Sequence, residues 1–209
     1  MTISFGLVRK SKDPAKLYKT HVEFGTPLQH NSHHVGFYLD FSTSVTGVAY
    51  DSCARCMGWF DESLSSSTGV SSYEASTTEF WSYQAKMPVP FDGSMGTETL
   101  CLPTHDCIYN YDFFKITYLK DYVYDWHWNG VLGLGPLKPG MPVNFVMALK
   151  EQGVIDNAVT TVILKSDDKD VSNSMVVIGE HIEGTREIQK HHLVALEWPG
   201  TWTFKMPSF

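Results

Sequence analysis

One acidic residue in the first quarter of the chain directly follows an apolar run. The segment VGFYL at 35–39 leads into Asp40, and a phenylalanine and three hydroxyl residues, Ser42, Thr43 and Ser44, come after it. A carboxylate next to a buried strand is costly unless a site uses it or hydrogen bonds hold it. Asp40 is therefore a candidate acid–base group. Two other interpretations stay open: a residual acid bound by the hydroxyls at 42–44, and a strand-end residue without a role.

The four cysteines form two close pairs, Cys53/Cys56 and Cys101/Cys107. An even count with short spacings suits two local disulfides or one metal site. A zinc ribbon prefers two tight C-x-x-C pairs, whereas five residues, 102 to 106, separate the second pair, so disulfides are favoured over metal. Reduced thiols, as in the cytosol, are the third possibility.

The histidines give a weaker metal signal. His30, His33 and His34 are close enough in sequence to converge on one ion, although a solvent-exposed turn also explains them. His191 and His192 are adjacent, so on a strand their side chains point to opposite faces and chelate poorly together. We expect neither a metal nor another cofactor.

Four large aromatic residues recur at every second position. They are Tyr122, Tyr124, Trp126 and Trp128, and on a strand all four project to the same side. A small domain seldom needs so much aromatic surface for its own core, and aromatic residues are enriched where protein interfaces exclude water. The pattern predicts a partner surface, with ordinary core packing as the alternative.

Most of the chain has the sequence pattern of short β-strands. Segments such as VGFYLDF and FFKITYLKDYVY are rich in β-branched and aromatic residues, and Gly, Pro, Ser or Asp bound them. The one clear helix pattern runs from Pro142 to Gly153, with Val143, Val146, Met147 and Leu149 near a common face. The sequence predicts a mainly β fold with one short helix near 142–153, and a polar loop at 61–72.

Composition limits the possible functions. A chain of 209 residues with 43% hydrophobic and 19% charged residues suits one packed domain. The formal net charge of -7, with Lys and Arg scattered, argues against nucleic acid as a partner. The first twenty residues lack the apolar run of a signal peptide, and no segment has the roughly 18 apolar residues of a membrane span. The compartment stays open.

Several motifs, in the same order, resemble the N-terminal lobe of the pepsin-like aspartic proteases. GTPLQ at 25–29 and VGFYLDFSTS at 35–44 resemble the family's G-T-P-x-Q hairpin and the strand that ends in Asp-Thr-Gly-Ser. Further similarities are the cysteine loop at 53–56, a strand beside the Asp turn at 129–136, a helix at 145–156, a strand at 174–182, and LEWPGTWTFKM at 196–206. The resemblance implies a single lobe over 20–206, preceded by an N-terminal extension at 1–19 and followed by a tail at 207–209.

The resemblance also implies an incomplete catalytic apparatus. Enzymes of this family use two aspartates, one from each lobe, that share a proton, and the chain has no second Asp-Thr-Gly or Asp-Ser-Gly. Phe41 replaces the family's Thr, whose hydroxyl bonds across the lobe interface, and Ser42 replaces its Gly. No Gly-rich flap is recognisable between Ile108 and Trp128, where Tyr109 or Tyr111 could stand for the flap tyrosine.

These departures predict a catalytically inactive aspartic-protease-like protein that is a structural or interaction subunit of a larger assembly. An isolated lobe would expose the apolar face that meets the second lobe in the family, so we expect other protein subunits as partners. One alternative is a homodimeric aspartic endopeptidase that uses Asp40 from each of two chains. Another is a non-catalytic peptide-binding module. The resemblance favours a secretory or organellar compartment.

Overall fold

A computed structural model describes residues 1–9, 18–29, 36–54, 56, 59–82, 87–119, 129–137, 139–163 and 174–182. Within these ranges the chain is mainly β with one short α-helix, so this part of the prediction is confirmed. The strands are β1 (Ile3–Gly6), β2 (Val8–Arg9), β3 (Tyr18–Thr20), β4 (Glu23–Phe24), β5 (Phe37–Asp40), β6 (Gly47–Ala54), β7 (Thr77–Ser82), β8 (Met87–Cys101), β9 (Cys107–Leu119), β10 (Gly130–Gly133), β11 (Thr160–Ile163) and β12 (Met175–Ile178).

The strands form two sheets. The larger has nine strands in the order β2-β3-β5-β10-β6-β9-β8-β4, with β7 paired to β8, and the smaller has the order β1-β12-β11. Residues 1–19, expected to be an N-terminal extension, include β1, and its Ile3 and Phe5 are buried in the main core together with Leu7.

Strand β10 lies between β5 and β6, parallel to the first and antiparallel to the second. All four of its residues are buried. The two glycines let it fit there, since a Cβ at Gly133 would collide with the backbone of Val45, and one at Gly130 with the ring of Phe37. The segment predicted to lie beside the Asp turn therefore does so, with Gly133 opposite Asp40 in the ladder.

A cluster of phenylalanines fills the centre of the main core. Phe24 packs against Phe37, Phe60 and Phe113 with ring centroids 5.7, 5.8 and 5.3 Å away, and all four are completely buried. Burial of each such ring contributes about 1.5–3 kcal/mol relative to an exposed one. A second cluster, around Phe80, packs on the other side of the large sheet and is separate from the first.

Helix α1 (Phe145–Glu151) is shorter than the segment predicted at 142–153. It begins after Asn144, whose side chain accepts a hydrogen bond from the N–H of Met147 at 2.9 Å and so caps the first turn. The chain leaves the helix at Gly153, where φ is 74°. Met147, expected on the apolar face, is only partly buried, and the buried residues are Phe145, Val146, Ala148 and Leu149.

The loop predicted at 61–72 contains one short 3-10 turn, Glu62–Leu64, and is otherwise without helix or long strand. Among the described residues no helix is long and apolar enough to cross a membrane.

Candidate functional site

Asp40 is the last residue of β5 and only 4% of its surface is exposed. Its Oδ1 accepts two hydrogen bonds from Ser42, one from the backbone N at 2.7 Å and one from Oγ at 2.5 Å. This local arrangement is typical of an aspartate that closes its own turn. One carboxylate oxygen is therefore held from within the chain, two residues away.

The segment after β10 holds the backbone of the same turn. The N–H of Leu134 donates to the carbonyl of Asp40 and that of Gly135 to the carbonyl of Thr43, both at 2.7 Å. A side chain at Gly135 would clash, because a Cβ there would lie 2.7 Å from backbone atoms of Thr43. The turn at 40–43 is thus fixed on the side that faces β10.

The three hydroxyls expected near Asp40 have different roles. Ser42 donates to the carboxylate, whereas Thr43 Oγ1 accepts from the N–H of Val45 at 3.1 Å. Ser44 is completely buried, and its Oγ has no hydrogen-bond partner among the described residues. A buried hydroxyl left in that state costs about 1–3 kcal/mol.

Behind the turn, a buried pair of hydroxyls links β9 and β10 to Thr46, the residue that precedes β6. Thr46 Oγ1 lies 2.9 Å from the hydroxyl of Tyr111 and accepts from the N–H of Gly133 at 3.2 Å. Burial raises the pKa of the Tyr111 phenol. Tyr111 is thus a fixed residue of the core, in a poor position to close over a substrate, while the exposed Tyr109 is held through its backbone by the side-chain amide of Gln152.

Two exposed apolar side chains lie on the segments that meet at the turn. Phe41, which follows β5, is 36% exposed, and Leu137, which follows β10, is 52% exposed. Because β5 and β10 are parallel, the chain leaves both strands at the same end. This end of the sheet therefore presents apolar groups to solvent beside a buried acid.

Sequence reasoning missed a second buried acid, Glu98 on β8, which is completely buried. Its carboxylate accepts hydrogen bonds from the hydroxyls of Ser67 and Thr68, the latter at 2.7 Å, and from the N–H of Thr99 at 2.7 Å. The available signal was one acid inside a strand segment, and nothing in the sequence connects this acid to Ser67 and Thr68 in the loop.

The Glu98 contacts fasten the loop at 61–72 to the sheet. The loop is also bound to the GTPLQ segment, where the Gln29 amide donates to the carbonyl of Asp61 at 2.6 Å and accepts from its N–H at 3.1 Å. Ser66 donates from its backbone N to the carbonyl of Thr26 at 2.8 Å. The serine-rich tract is therefore an ordered structural loop, not only a solvated one.

A charged group lies at the start of the same loop. Lys115 donates to the carboxylate of Glu62 at 2.6 Å, and the hydroxyl of Tyr50 donates to the same oxygen at 2.9 Å. The hydrogen bond from Lys115 is the main reason that the pKa of Glu62 lies below its usual value. Burial, followed by the hydrogen bond to Glu62, raises the pKa of Tyr50.

The structure joins Cys53 to Cys56 and Cys101 to Cys107 as disulfides, and no cysteine is left free. Within the described ranges no group of three or more His, Cys, Asp or Glu residues lies close enough to hold a metal ion. Some candidates from the sequence lie outside the described residues: the histidines His30, His33, His34, His191 and His192, and the aromatic residues Tyr122, Tyr124, Trp126 and Trp128.

No family model matches the chain, and no curated protein matches its sequence significantly.

Proposed function

We propose that this protein is a non-catalytic, single-lobe relative of the pepsin-like aspartic proteases that acts as a structural or interaction subunit of a larger assembly. One observation carries the proposal: Asp40 is withdrawn from solvent and bound by Ser42, while the neighbouring Phe41 is exposed.

The state of Asp40 supports a loss of catalysis. Activation of a water molecule by an aspartate pair needs two carboxyls that share a proton, each able to reach the water. Oδ1 of Asp40 already accepts two hydrogen bonds from Ser42. The Ser42 side chain occupies the position where the family has a bare glycine, so it competes for the carboxylate.

The state of Phe41 supports a role in binding. The residue that it replaces in the family bonds across the lobe interface through a hydroxyl, and a phenyl ring offers only apolar contact. Phe41 and Leu137 together give the end of the sheet beside Asp40 an apolar character. Burial of an exposed phenylalanine against a partner subunit would be favourable.

Binding of a transition-state mimic distinguishes this proposal from its alternatives. We would titrate the protein by calorimetry with an extended apolar peptide that carries a statine hydroxyl, and with the matched peptide that lacks this hydroxyl. The proposal predicts no saturable binding of either peptide. Preference for the hydroxyl peptide would favour the homodimeric endopeptidase, and equal binding of both would favour the peptide-binding module.

A further inference from the structure

The two disulfides differ in how firmly the backbone holds their cysteines together. Cys101 on β8 and Cys107 on β9 are direct partners in the antiparallel ladder, with Cα atoms 4.1 Å apart. Cys101 is completely buried and also pairs on its other side with Glu23 of β4. The sheet therefore keeps these two cysteines side by side whether or not a bond joins their sulfur atoms.

The disulfide between Cys53 and Cys56 has less support from the sheet. Cys53 lies near the end of β6, where the pairing with β9 loses its register, since Ala49 and Ala54 pair with residues 116 and 118. Cys56 lies in a bend after the strand, and its Cα atom is 5.6 Å from that of Cys53. No ladder pairing sets the separation of these two cysteines.

Backbone hydrogen bonds close the loop that contains this disulfide. The N–H of Asp51 donates to the carbonyl of Phe60 at 3.1 Å, and the N–H of Trp59 donates to the carbonyl of Ala49 at 3.2 Å. Phe60 is also completely buried. Because these contacts hold the base of the loop, we expect the disulfide to open without unfolding the protein.

The two sulfur atoms of this disulfide differ in their access to solvent. Cys56 is partly exposed, whereas Cys53 is only 8% exposed and is buried in the cluster around Phe80. The Cys-x-x-Cys spacing is that of disulfides that exchange with thiols, and a thiolate attacks the sulfur that it can reach. Cys56 is therefore the sulfur at which an external thiolate would react.

We propose that the bond between Cys53 and Cys56 is a thiol–disulfide exchange site, which thiol reductants open in the folded protein while the bond between β8 and β9 stays closed. A thiolate of the reductant bonds to Sγ of Cys56, and the disulfide electron pair leaves with Sγ of Cys53, which takes up a proton. A second reductant thiolate attacks the mixed disulfide, so that Cys56 leaves as a thiolate and takes up a proton. The protein gains two electrons and two protons, and the reductant becomes a disulfide.

The difference in backbone support explains why one bond opens and the other does not. Two thiols that a fold holds close together re-form their bond readily, because each has a high effective concentration at the other. Ladder pairing gives this advantage to Cys101 and Cys107, and the irregular end of β6 does not give it to the other pair. This chemistry needs neither Asp40 nor a partner subunit, so it is independent of the proposed function.

A redox titration of the full chain tests the proposal. The protein would be equilibrated with reduced and oxidised glutathione over a series of ratios, its thiols trapped with N-ethylmaleimide, and the labelled cysteines identified by peptide mass spectrometry. We expect Cys53 and Cys56 to be labelled at a value of [GSH]²/[GSSG] about tenfold or more below the value that Cys101 and Cys107 require, with an unchanged circular dichroism spectrum. Labelling of all four cysteines at the same value would overturn the proposal, and so would labelling that begins only when the protein unfolds.

A matched pair of variants tests which sulfur is attacked. Cys53→Ser leaves the thiol of Cys56, and Cys56→Ser leaves the thiol of Cys53. The thiol of Cys56 should exchange with oxidised glutathione about tenfold or more faster than that of Cys53, because it is the more exposed. Equal rates, or a faster reaction at Cys53, would contradict attack at Cys56. The titration of the native chain gives its answer even if one of these variants does not fold.

Discussion

Ser42 donates two hydrogen bonds to one oxygen of Asp40, from its backbone N at 2.7 Å and from its Oγ at 2.5 Å. The backbone bond would survive replacement of the serine, but the hydroxyl bond would not. Hydrogen bonds to charged groups are worth about 1.5–3 kcal/mol. Asp40 therefore contributes to the stability of its own turn.

Ser42→Ala is expected to lower the free energy of unfolding by about 1–3 kcal/mol, because the carboxylate loses its hydroxyl donor in a buried position. Urea denaturation at pH 7 measures the change. Ser72→Ala, an exposed serine on the loop, is the control and should change stability by less than about 0.5 kcal/mol. Equal effects of the two substitutions would show that the Ser42 bond is unimportant.

Glu98→Gln is expected to destabilise the protein by about 2–4 kcal/mol. The amide NH₂ of glutamine is itself a donor, and it would face a hydroxyl or N–H donor that had bonded to a carboxylate oxygen. The loop at 61–72 should become more sensitive to limited proteolysis, since the amide keeps only one acceptor oxygen and cannot accept from both Ser67 and Thr68 as the two carboxylate oxygens do. Glu151→Gln, an exposed change at the end of α1, is the matched control. Unchanged cleavage of the loop in Glu98→Gln would contradict the role of this carboxylate as its anchor.

Glu62 should give a small dependence of stability on pH. Its pKa in the folded state is lowered from the ordinary 4.5, mainly because Lys115 donates to its carboxylate. A lowered pKa stabilises the fold above the unfolded-state value, and that stability is lost as the pH falls through the folded-state pKa. Because Glu62 is 45% exposed, solvent screening limits the contribution to about 0–1 kcal/mol.

The test compares the free energy of unfolding at pH 7 and pH 3 in the wild type, Glu62→Gln and Glu74→Gln. The wild type and the Glu74→Gln control should lose more stability on acidification than Glu62→Gln does. An identical loss in all three proteins would mean that the contact between Lys115 and Glu62 has no net effect.

Phe113→Ala and Phe41→Ala should differ widely in their effect on folding. Phe113 is completely buried and its ring centroid is 5.3 Å from that of Phe24, so its removal should cost about 3–5 kcal/mol. Phe41 is 36% exposed, and we expect a cost below about 1 kcal/mol. Thermal denaturation followed by circular dichroism distinguishes them, and a large loss in Phe41→Ala would assign that ring to the core and not to a partner surface.

Local patterns made several features of the fold predictable. The pairing of nearby cysteines, the helix between Pro142 and Gly153, and the short apolar segment with two glycines next to the Asp turn all depend on neighbouring residues. The first residue of the helix could not be predicted from such local patterns. The side chain of Asn144, which caps the helix, also donates to the carbonyl of Gly135 at 2.7 Å, a contact between separate segments.

The features that the sequence did not reveal depend on contacts between distant segments. Glu98 meets Ser67 and Thr68 only after β8 has joined the sheet, so the serine-rich loop gave a signal of polarity alone. The hydrogen bond of the buried Tyr111 hydroxyl likewise needs Thr46, a residue of another segment. Side-chain spacing predicts which face a residue occupies, but not which distant hydroxyl will meet it.

If Asp40 has no catalytic role, as we propose, the chain should not hydrolyse peptides. The purified full chain and its Asp40→Asn variant would be incubated with a mixed peptide library from pH 3 to pH 7, and the cleavage products followed by mass spectrometry. We predict no product above the level of the variant at any pH. Cleavage by the wild type that Asp40→Asn abolishes, and that a statine peptide inhibits, would show that Asp40 is catalytic.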